Sequence, residues 1–238
     1  MKLKSCLLKI VRYKNFKEIL VALISFAIFL ACAITVANSK GKIPYVDIVM
    51  RDFAYKIRGE KFGAGYWFFR IVTEFGFVYV VIFIFFVFTF FTRIDLRCLF
   101  LGAGSVVNYL VNEGVKMIYK RPRPIEEMRW MVEKSTSFPS GHSMTAMYFY
   151  VMISYFCYRS CRPDNKTRAL ILVFSYLTIF MVGFSRIILG VHYFTDVISG
   201  FSLGLMLAML SIILYKYFND KGYKFLSKYL TRGVNVNK

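Results

Sequence analysis

Histidine and acidic residues are scarce in this sequence. Its 238 residues include two histidines, and 13 aspartates and glutamates stand against 32 lysines and arginines. The acids form no cluster of the kind that holds Mg²⁺; Glu126, Glu127 and Glu133 in particular are too scattered. The five cysteines contain no CxxC pair, which argues against a zinc or redox site. We therefore expect neither a metal nor another cofactor.

Apolar residues, in contrast, make up 58% of the chain. This proportion is typical of an integral membrane protein. A membrane-spanning helix needs about 20 mostly apolar residues, and six runs approach that length, although the fourth is short enough for a buried segment. The runs are Ile19–Ala37, Phe75–Phe91, Cys98–Val115, Met144–Tyr158, Ala169–Phe184 and Val197–Tyr217. The sequence predicts one all-α domain over residues 1–238, an integral membrane bundle of six transmembrane helices.

The net charge of +19 indicates topology rather than nucleic-acid binding in such a protein. If the N-terminus is inside, the inner segments hold more than half of the lysines and arginines and only Asp95, Asp164 and Asp220 as acids. Both termini are therefore predicted to be cytoplasmic. The basic tail from Lys216 would attract anionic lipid. Met1–Leu20 could also be a secretory signal, but the long apolar run and the spans after it favour an uncleaved anchor.

The longest connection, residues 38–75, lies outside in this topology. Val46, Val49, Phe53 and Ile57 recur there at helical spacing, which predicts an amphipathic helix in the membrane interface. The aromatic cluster Gly65–Phe69 follows and is typical of headgroup depth. This loop could be a simple anchor, or a rim that guides a lipid into a site.

Both histidines lie beside residues suited to phosphate. His192 and Asp196 are four positions apart, so a helical turn would make them neighbours. A carboxylate on one ring nitrogen fixes the tautomer and leaves the other nitrogen nucleophilic. Arg186, six residues before His192, offers a planar fork to phosphate oxygens. Alone, such a pair is more often structural.

Ser140, Gly141 and His142 open the fourth apolar run, and a helix N-terminus with a glycine suits an anion. Lys116 and Arg123 add two cations; Lys120 is the alternative to Lys116. Two predicted spans separate this region from Ser185–His192, so both emerge on the same, external, side. Fixed cations and aligned amides there would stabilise a phosphoryl transition state without a metal.

These three strings resemble the signature of the type 2 phosphatidic acid phosphatase superfamily. The signature is Lys, six residues, Arg-Pro; Pro-Ser-Gly-His; and Ser-Arg, five residues, His, three residues, Asp. It matches here at Lys116 to Pro124, Pro139–His142 and Ser185 to Asp196.

The resemblance implies a role for each position. His192 would attack phosphorus and form a phosphohistidine, Asp196 would orient it, and His142 would protonate the leaving group and then activate water. The phosphoryl oxygens would be held without a metal by Lys116, Arg123, Arg186, Ser140 and Gly141.

The resemblance further implies a bacterial cytoplasmic membrane enzyme that hydrolyses a membrane phospholipid or polyprenyl phosphate. Undecaprenyl pyrophosphate is favoured slightly over phosphatidylglycerol phosphate. The motifs also fit a lipid phosphotransferase, and a non-catalytic lipid-phosphate transporter less well. We infer no obligate protein partner and no nucleic-acid partner.

Overall fold

The computed structural model describes residues 15–92, 94–125, 127, 129–161 and 164–221, and these ranges contain eight helices and no strand. The predicted all-α fold class is therefore confirmed. The first 14 residues, Glu126 and the basic tail beyond Lys221 lie outside the described residues. The helices are α1 (Phe16–Asn38), α2 (Tyr45–Ile57), α3 (Ala64–Glu74), α4 (Val78–Thr92), α5 (Leu96–Tyr119), α6 (Gly141–Cys161), α7 (Asn165–Ile188) and α8 (Phe194–Lys221).

Three of the described helices are long and apolar enough to cross a membrane by themselves: α1, α7 and α8. A fourth span is possible if α3 and α4 are counted together, although they meet at an angle of 53°. α5 and α6 coincide with the third and fourth predicted runs and extend beyond them by a few residues at each end. The count of six spans thus remains a prediction.

The second apolar run, Phe75–Phe91, was expected to be one helix, but the structure breaks it. Residues 75–77 form the bend between α3 and α4. The backbone carbonyl of Phe75 accepts a hydrogen bond from the Tyr150 hydroxyl at 3.0 Å. A Cβ on Gly76 would lie 2.6 Å from Val182 and 2.9 Å from the carbonyl oxygen of His142. The bend therefore packs closely against α6 and α7, a tertiary constraint that hydropathy does not encode.

Helix α8 packs between α1 and α6 at the centre of the fold. Two of its glycines allow the close approach of α6, because a Cβ on Gly200 or Gly204 would lie 2.5 Å from the carbonyl oxygen of Ser140 or Met144 respectively. Small residues commonly allow helices of membrane proteins to pack backbone against backbone. This packing fixes the N-terminus of α6 beside the first turn of α8.

Three connections meet at one end of the bundle. The Arg121 side chain after α5 forms an ion pair with Asp47 of α2, and the Trp130 amide donates to the Leu189 carbonyl after α7 at 2.9 Å. At the opposite end, Lys216 of α8 forms an ion pair with Glu18 of α1 at 2.6 Å. The connection that contains α2 and the connections after α5 and α7 thus share one end. The predicted alternation of six spans requires the same arrangement.

The first of these connections contains the helix expected over residues 46–57. On α2 the apolar side chains of Val46, Val49, Phe53 and Ile57 are exposed, and its interfacial position remains a prediction. Its opposite side is buried at Asp47 and Ala54. The aromatic cluster belongs to α3, where Tyr66 is buried against Trp130 with ring centroids 5.7 Å apart, while Trp67 and Phe68 are exposed.

Candidate active site

His192 and Asp196 meet at the start of α8. His192 lies in the short connection before the helix, and its Nδ1 is 3.5 Å from Oδ2 of Asp196 in the first turn. The same carboxylate oxygen accepts hydrogen bonds from the Ser137 hydroxyl at 2.5 Å and the Tyr193 amide at 2.9 Å. Ser137 also lies 3.5 Å from Nδ1 of His192. The predicted pair is therefore present, with Ser137 as a shared neighbour.

The other ring nitrogen of His192 faces Arg123. Its Nε2 lies 3.1 Å from Nη1 of Arg123, and a guanidinium group only donates hydrogen bonds. Nε2 must therefore accept, and the ring proton belongs on Nδ1, toward Asp196. Burial, followed by the charges of Arg123, Arg186 and Lys116, lowers the pKa of His192 well below 6.5. His192 is thus a neutral imidazole at neutral pH, with its lone pair on Nε2.

Arg123 is held by the loop before α6. It donates from Nε to the Ser135 carbonyl at 2.6 Å, from Nη1 to the Val191 carbonyl at 2.8 Å and from Nη2 to the Ser135 hydroxyl at 3.0 Å. Burial lowers the pKa of Arg123 to about 10, so it remains charged at neutral pH.

Lys116 reaches the same place from α5. Its Nζ lies 3.5 Å from the Ser135 hydroxyl and 3.0 Å from a carboxylate oxygen of Glu113. The Lys116 side chain is buried, whereas Lys120 is exposed at the end of the helix. Although α5 ends later than the predicted span, it is Lys116 rather than Lys120 that lies at the site.

Arg186, the third predicted cation, is fully buried near the end of α7. Its Nη1 donates to the Thr73 hydroxyl at 2.8 Å, and its Nη2 forms a short ion pair with Glu133. The Nε atom is buried without a hydrogen-bond partner in the described part of the chain. The Nε–H group of Arg186 can therefore donate a hydrogen bond to an additional acceptor.

The Pro-Ser-Gly-His string begins α6, as expected from the sequence. Ser140 caps the helix: its hydroxyl accepts from the Ser143 amide at 3.4 Å and the Ser143 hydroxyl at 2.9 Å. The Ser140 proton itself remains available for donation. The Ser140 amide donates to the Asp196 carbonyl at 3.0 Å, which joins this string to the His192 string.

Gly141 and His142 form the first turn of α6. A Cβ on Gly141 would lie 3.8 Å from Nζ of Lys116, which places the start of the helix beside this cation. The His142 ring is partly exposed, and its centroid lies 5.5 Å from that of Phe77 in the α3–α4 bend. All three strings therefore converge.

Behind this group lies a buried polar network that the sequence did not indicate. Arg121 donates to Asp196 Oδ1 at 2.6 Å, to the Thr195 hydroxyl at 2.8 Å and to Asp47 Oδ2 at 2.7 Å. Asp47 also accepts from the amide and the hydroxyl of Thr195, both at 2.8 Å. The carboxylate beside His192 is thus fixed from α2 through Arg121.

The sequence did not indicate several residues that contribute to the site. It predicts only an amphipathic helix around Asp47 and a basic loop around Arg121. One signal for Asp47 is Ala54, seven residues later, because this small residue interrupts the polar stripe of α2 on the same side, which is typical of close packing. No local pattern identifies the others, which include Thr73, Glu133, Ser135, Ser137 and Thr195.

Comparisons with known proteins identify a family. A family model described as PAP2 superfamily matches residues 97–220. Phosphatidylglycerophosphatase B of Bacillus subtilis (strain 168) is 35% identical over 133 residues, 56% of this chain; the match spans 61% of that relative, less than two thirds of its length.

Two solved structures share the fold. The crystal structure of a transmembrane PAP2-type phosphatidylglycerolphosphate phosphatase from Bacillus subtilis has a TM-score of 0.68 and 29% identity, and the alignment covers 84% of this chain and 98% of that one. LpxE of Aquifex aeolicus, at a TM-score of 0.56 and 21% identity, aligns over 70% of this chain and 94% of its own.

Proposed function

This chain belongs to the PAP2 superfamily, and we propose that it is an integral membrane phosphatase that hydrolyses the terminal phosphate of a lipid. One observation carries the proposal: a neutral histidine presents its free nitrogen to a guanidinium group, while a fixed carboxylate lies behind its other nitrogen. Two further cations, Lys116 and Arg186, lie near the same position. Nucleophile, orienting group and anion binders are therefore present together.

In the first chemical step, Nε2 of His192 attacks phosphorus, and the bond from phosphorus to the leaving oxygen breaks. The Nδ1 proton stays on the ring, where Asp196 stabilises the positive charge that develops. Arg123, Arg186 and Lys116 neutralise the phosphoryl oxygens, assisted by the Ser140 hydroxyl and the Gly141 amide. His142 takes up a proton when the negatively charged phosphate binds beside it, and it donates that proton to the leaving oxygen.

In the second step, water attacks the phosphohistidine. His142, now neutral, accepts a proton from that water, and the bond between phosphorus and Nε2 breaks. Inorganic phosphate leaves and His192 returns to its starting tautomer.

Phosphatidylglycerol phosphate is the first substrate to test, because relatives that are 35% and 29% identical carry the name of its phosphatase. This reverses the slight preference for undecaprenyl pyrophosphate that the sequence alone suggested. Undecaprenyl pyrophosphate stays second, since its terminal phosphate offers the same charged group to the same cations.

We place the site at the external face of a bacterial cytoplasmic membrane, with both termini inside and six spans. The three connections that carry the site share one end of the bundle, which supports such an arrangement. The exposed apolar side of α2 lies at that end and suits the membrane interface.

The test is phosphate release by detergent-purified protein with EDTA present, from phosphatidylglycerol phosphate, undecaprenyl pyrophosphate and phosphatidic acid. A ³²P-labelled substrate, quenched in alkali during turnover, should leave label on the wild-type protein and none on the folded His192→Ala variant. Acid treatment should remove that label, as expected of phosphohistidine. Absence of release from every lipid by folded wild-type protein would overturn the hydrolase proposal.

A further inference from the structure

A carboxylate of this chain lies between two of the cations assigned to phosphate. Oε1 of Glu133 accepts the short ion pair from Nη2 of Arg186, and its Oε2 lies 4.0 Å from Nη2 of Arg123. Arg186 is completely buried, whereas 23% of the Glu133 side chain is exposed. Glu133 thus extends from the loop before α6, and its carboxylate contacts Arg186, the most deeply buried cation of the site.

The remaining contacts of the two arginines are with neutral groups. Arg186 otherwise bonds the Thr73 hydroxyl, and its Nε is buried without a partner in the described part of the chain. Arg123 bonds carbonyls, the Ser135 hydroxyl and His192. Glu133 therefore supplies negative charge that these two guanidinium groups require when no phosphate is bound, without satisfying Arg186 fully.

A substrate phosphate that binds Arg123 and Arg186 together must displace this carboxylate. A terminal phosphate carries a charge of about −1.5 to −2 near neutral pH, so it replaces a single charge with a larger one. The phosphodiester of a bulk anionic lipid carries one charge and gains nothing over Glu133. An enzyme embedded in a bilayer meets such phosphodiesters far more often than its own substrate.

We propose that Glu133 is a specificity-determining residue: it competes for Arg186 and Arg123, excludes singly charged phosphodiester headgroups, and yields to a phosphomonoester or diphosphate. This inference rests on the proposed function in one respect, the assignment of both arginines to the substrate phosphate. The inference adds that Glu133 selects headgroups by their charge at the binding step, before phosphoryl transfer. Glu133→Gln keeps the size and hydrogen-bonding capacity of the side chain and removes the competing charge.

The binding test needs no turnover. At about pH 8, where inorganic phosphate is mostly doubly charged, the melting temperature is measured with inorganic phosphate and with dimethyl phosphate, a singly charged diester. Wild type should be stabilised by phosphate alone, and Glu133→Gln by both anions. Glu127→Gln is the matched control, because Glu127 is an exposed acid of the same loop, and it should behave as wild type.

The kinetic test adds phosphatidylglycerol, a phosphodiester lipid, to micelles that contain a phosphomonoester substrate. Inhibition by phosphatidylglycerol should strengthen at least about tenfold in Glu133→Gln, while wild type and Glu127→Gln resist it. Glu133→Asp, which keeps the charge, should restore resistance. A purely structural role would instead lower kcat in Glu133→Gln without altering the choice between anions.

Equal responses to the two anions in wild type would overturn the inference, even if Glu133→Gln failed to fold. Equal sensitivity of wild type and folded Glu133→Gln to phosphatidylglycerol would do the same. If wild type discriminates between the anions, Glu133→Gln does not, and no lipid is hydrolysed, the selection by charge stands and the proposed hydrolysis fails. The two conclusions are therefore tested separately.

Discussion

Asp47 and Asp196, which are far apart in the sequence, are bound by the same guanidinium group. Arg121 donates from Nη2 to Asp47 at 2.7 Å and from Nη1 to Asp196 at 2.6 Å. Both carboxylates are fully buried, so neither can exchange this partner for water. The orientation of the proposed nucleophile therefore depends on α2, a helix of the connection between α1 and α4.

Neutralising Asp47 should therefore impair catalysis from a distance. In Asp47→Asn, Arg121 keeps Asp196 as its only charged partner and can shift toward it. A misplacement of about 1 Å at a reacting group can cost roughly 10²-fold in rate, so we expect kcat to fall by about 10- to 100-fold with KM changed less. Asp52→Asn is the control, because Asp52 lies on the same helix but is exposed and pairs with its neighbour Arg51. Comparable losses in both variants would contradict the dependence on Arg121.

The leaving group should determine how much His142 matters. If His142 protonates the leaving oxygen, His142→Gln should lower kcat/KM for a lipid alkyl phosphate by about 10²- to 10⁴-fold. The loss should be much smaller for p-nitrophenyl phosphate, whose leaving group needs no proton. His192→Gln should abolish both activities. Equal losses on the two substrates in His142→Gln would argue against a proton donor.

The pH dependence follows from the lowered pKa of His192. Attack requires the neutral ring, and burial together with neighbouring cations keeps that ring neutral below its ordinary value of 6.5. We expect kcat/KM to stay constant as the pH falls through 6.5 and to decline only at lower pH. The substrate's own ionisation should be measured separately by ³¹P NMR.

The same shift affects stability. The unfolded chain takes up the His192 proton near the ordinary value, before the folded chain does. The contribution to stability is therefore present above about pH 6.5 and is lost as the pH falls toward the lowered value. If kcat/KM fell with decreasing pH already at or above pH 6.5, and if the fall came from the enzyme rather than the substrate, the lowered pKa of His192 would be contradicted.

Substitutions of Lys116 and Lys120, two lysines at the same end of α5, compare a buried cation with an exposed one. Lys116 is buried beside Ser135 at the site, and Lys120 is exposed. We expect Lys116→Ala to reduce kcat/KM by about 10²-fold, on the scale of losing one preorganised donor to a transition state. Lys120→Ala should stay within about twofold of wild type. The reverse order would contradict the assignment of Lys116 to the site.

Substitutions at two glycines of α8 distinguish an effect on the geometry of the site from an effect on helix packing alone. Gly200→Ala places a Cβ 2.5 Å from the Ser140 carbonyl, and Gly204→Ala places one 2.5 Å from the Met144 carbonyl, one turn farther from the site. Both should destabilise by about 1–3 kcal/mol, measured by thermal unfolding in detergent. Only Gly200→Ala should also move the start of α6 and lower kcat strongly. Gly114→Ala, with no atom within 4 Å of its Cβ, is the control: it should leave kcat nearly unchanged and should not lower stability, since Ala favours a helix interior over Gly.

The sequence predicted those parts of the site that depend on local spacing. His192 and Asp196 needed only a turn, and the start of α6 needed only the order of Ser140 and Gly141. The helices themselves followed from long apolar runs. Because six predicted spans would alternate across a bilayer, the sequence predicts that the strings lie at one face.

What escaped prediction depends on contacts between distant segments. The break at residues 75–77 lies in a continuous apolar run, and it forms where Gly76 packs against Val182 and His142. Glu133 looked like a scattered loop acid because its partner Arg186 is on another helix. The sequence pattern makes Asp47 a polar residue of an amphipathic helix, because its burial depends on contacts with Arg121 and Thr195 that the pattern does not contain. These partners come together only when α2 docks against the bundle.

The length of α6 has a consequence for where the reaction takes place. Its 21 residues, at 1.5 Å each, extend for about 31 Å, close to the roughly 30 Å hydrocarbon thickness of a bilayer. In the proposed six-span arrangement α6 crosses the bilayer, and His142 at its end would then set the phosphoryl group at the boundary between hydrocarbon and water. A lipid then need not be lifted out of its leaflet to react. Membrane thickness itself becomes part of the fit between enzyme and substrate.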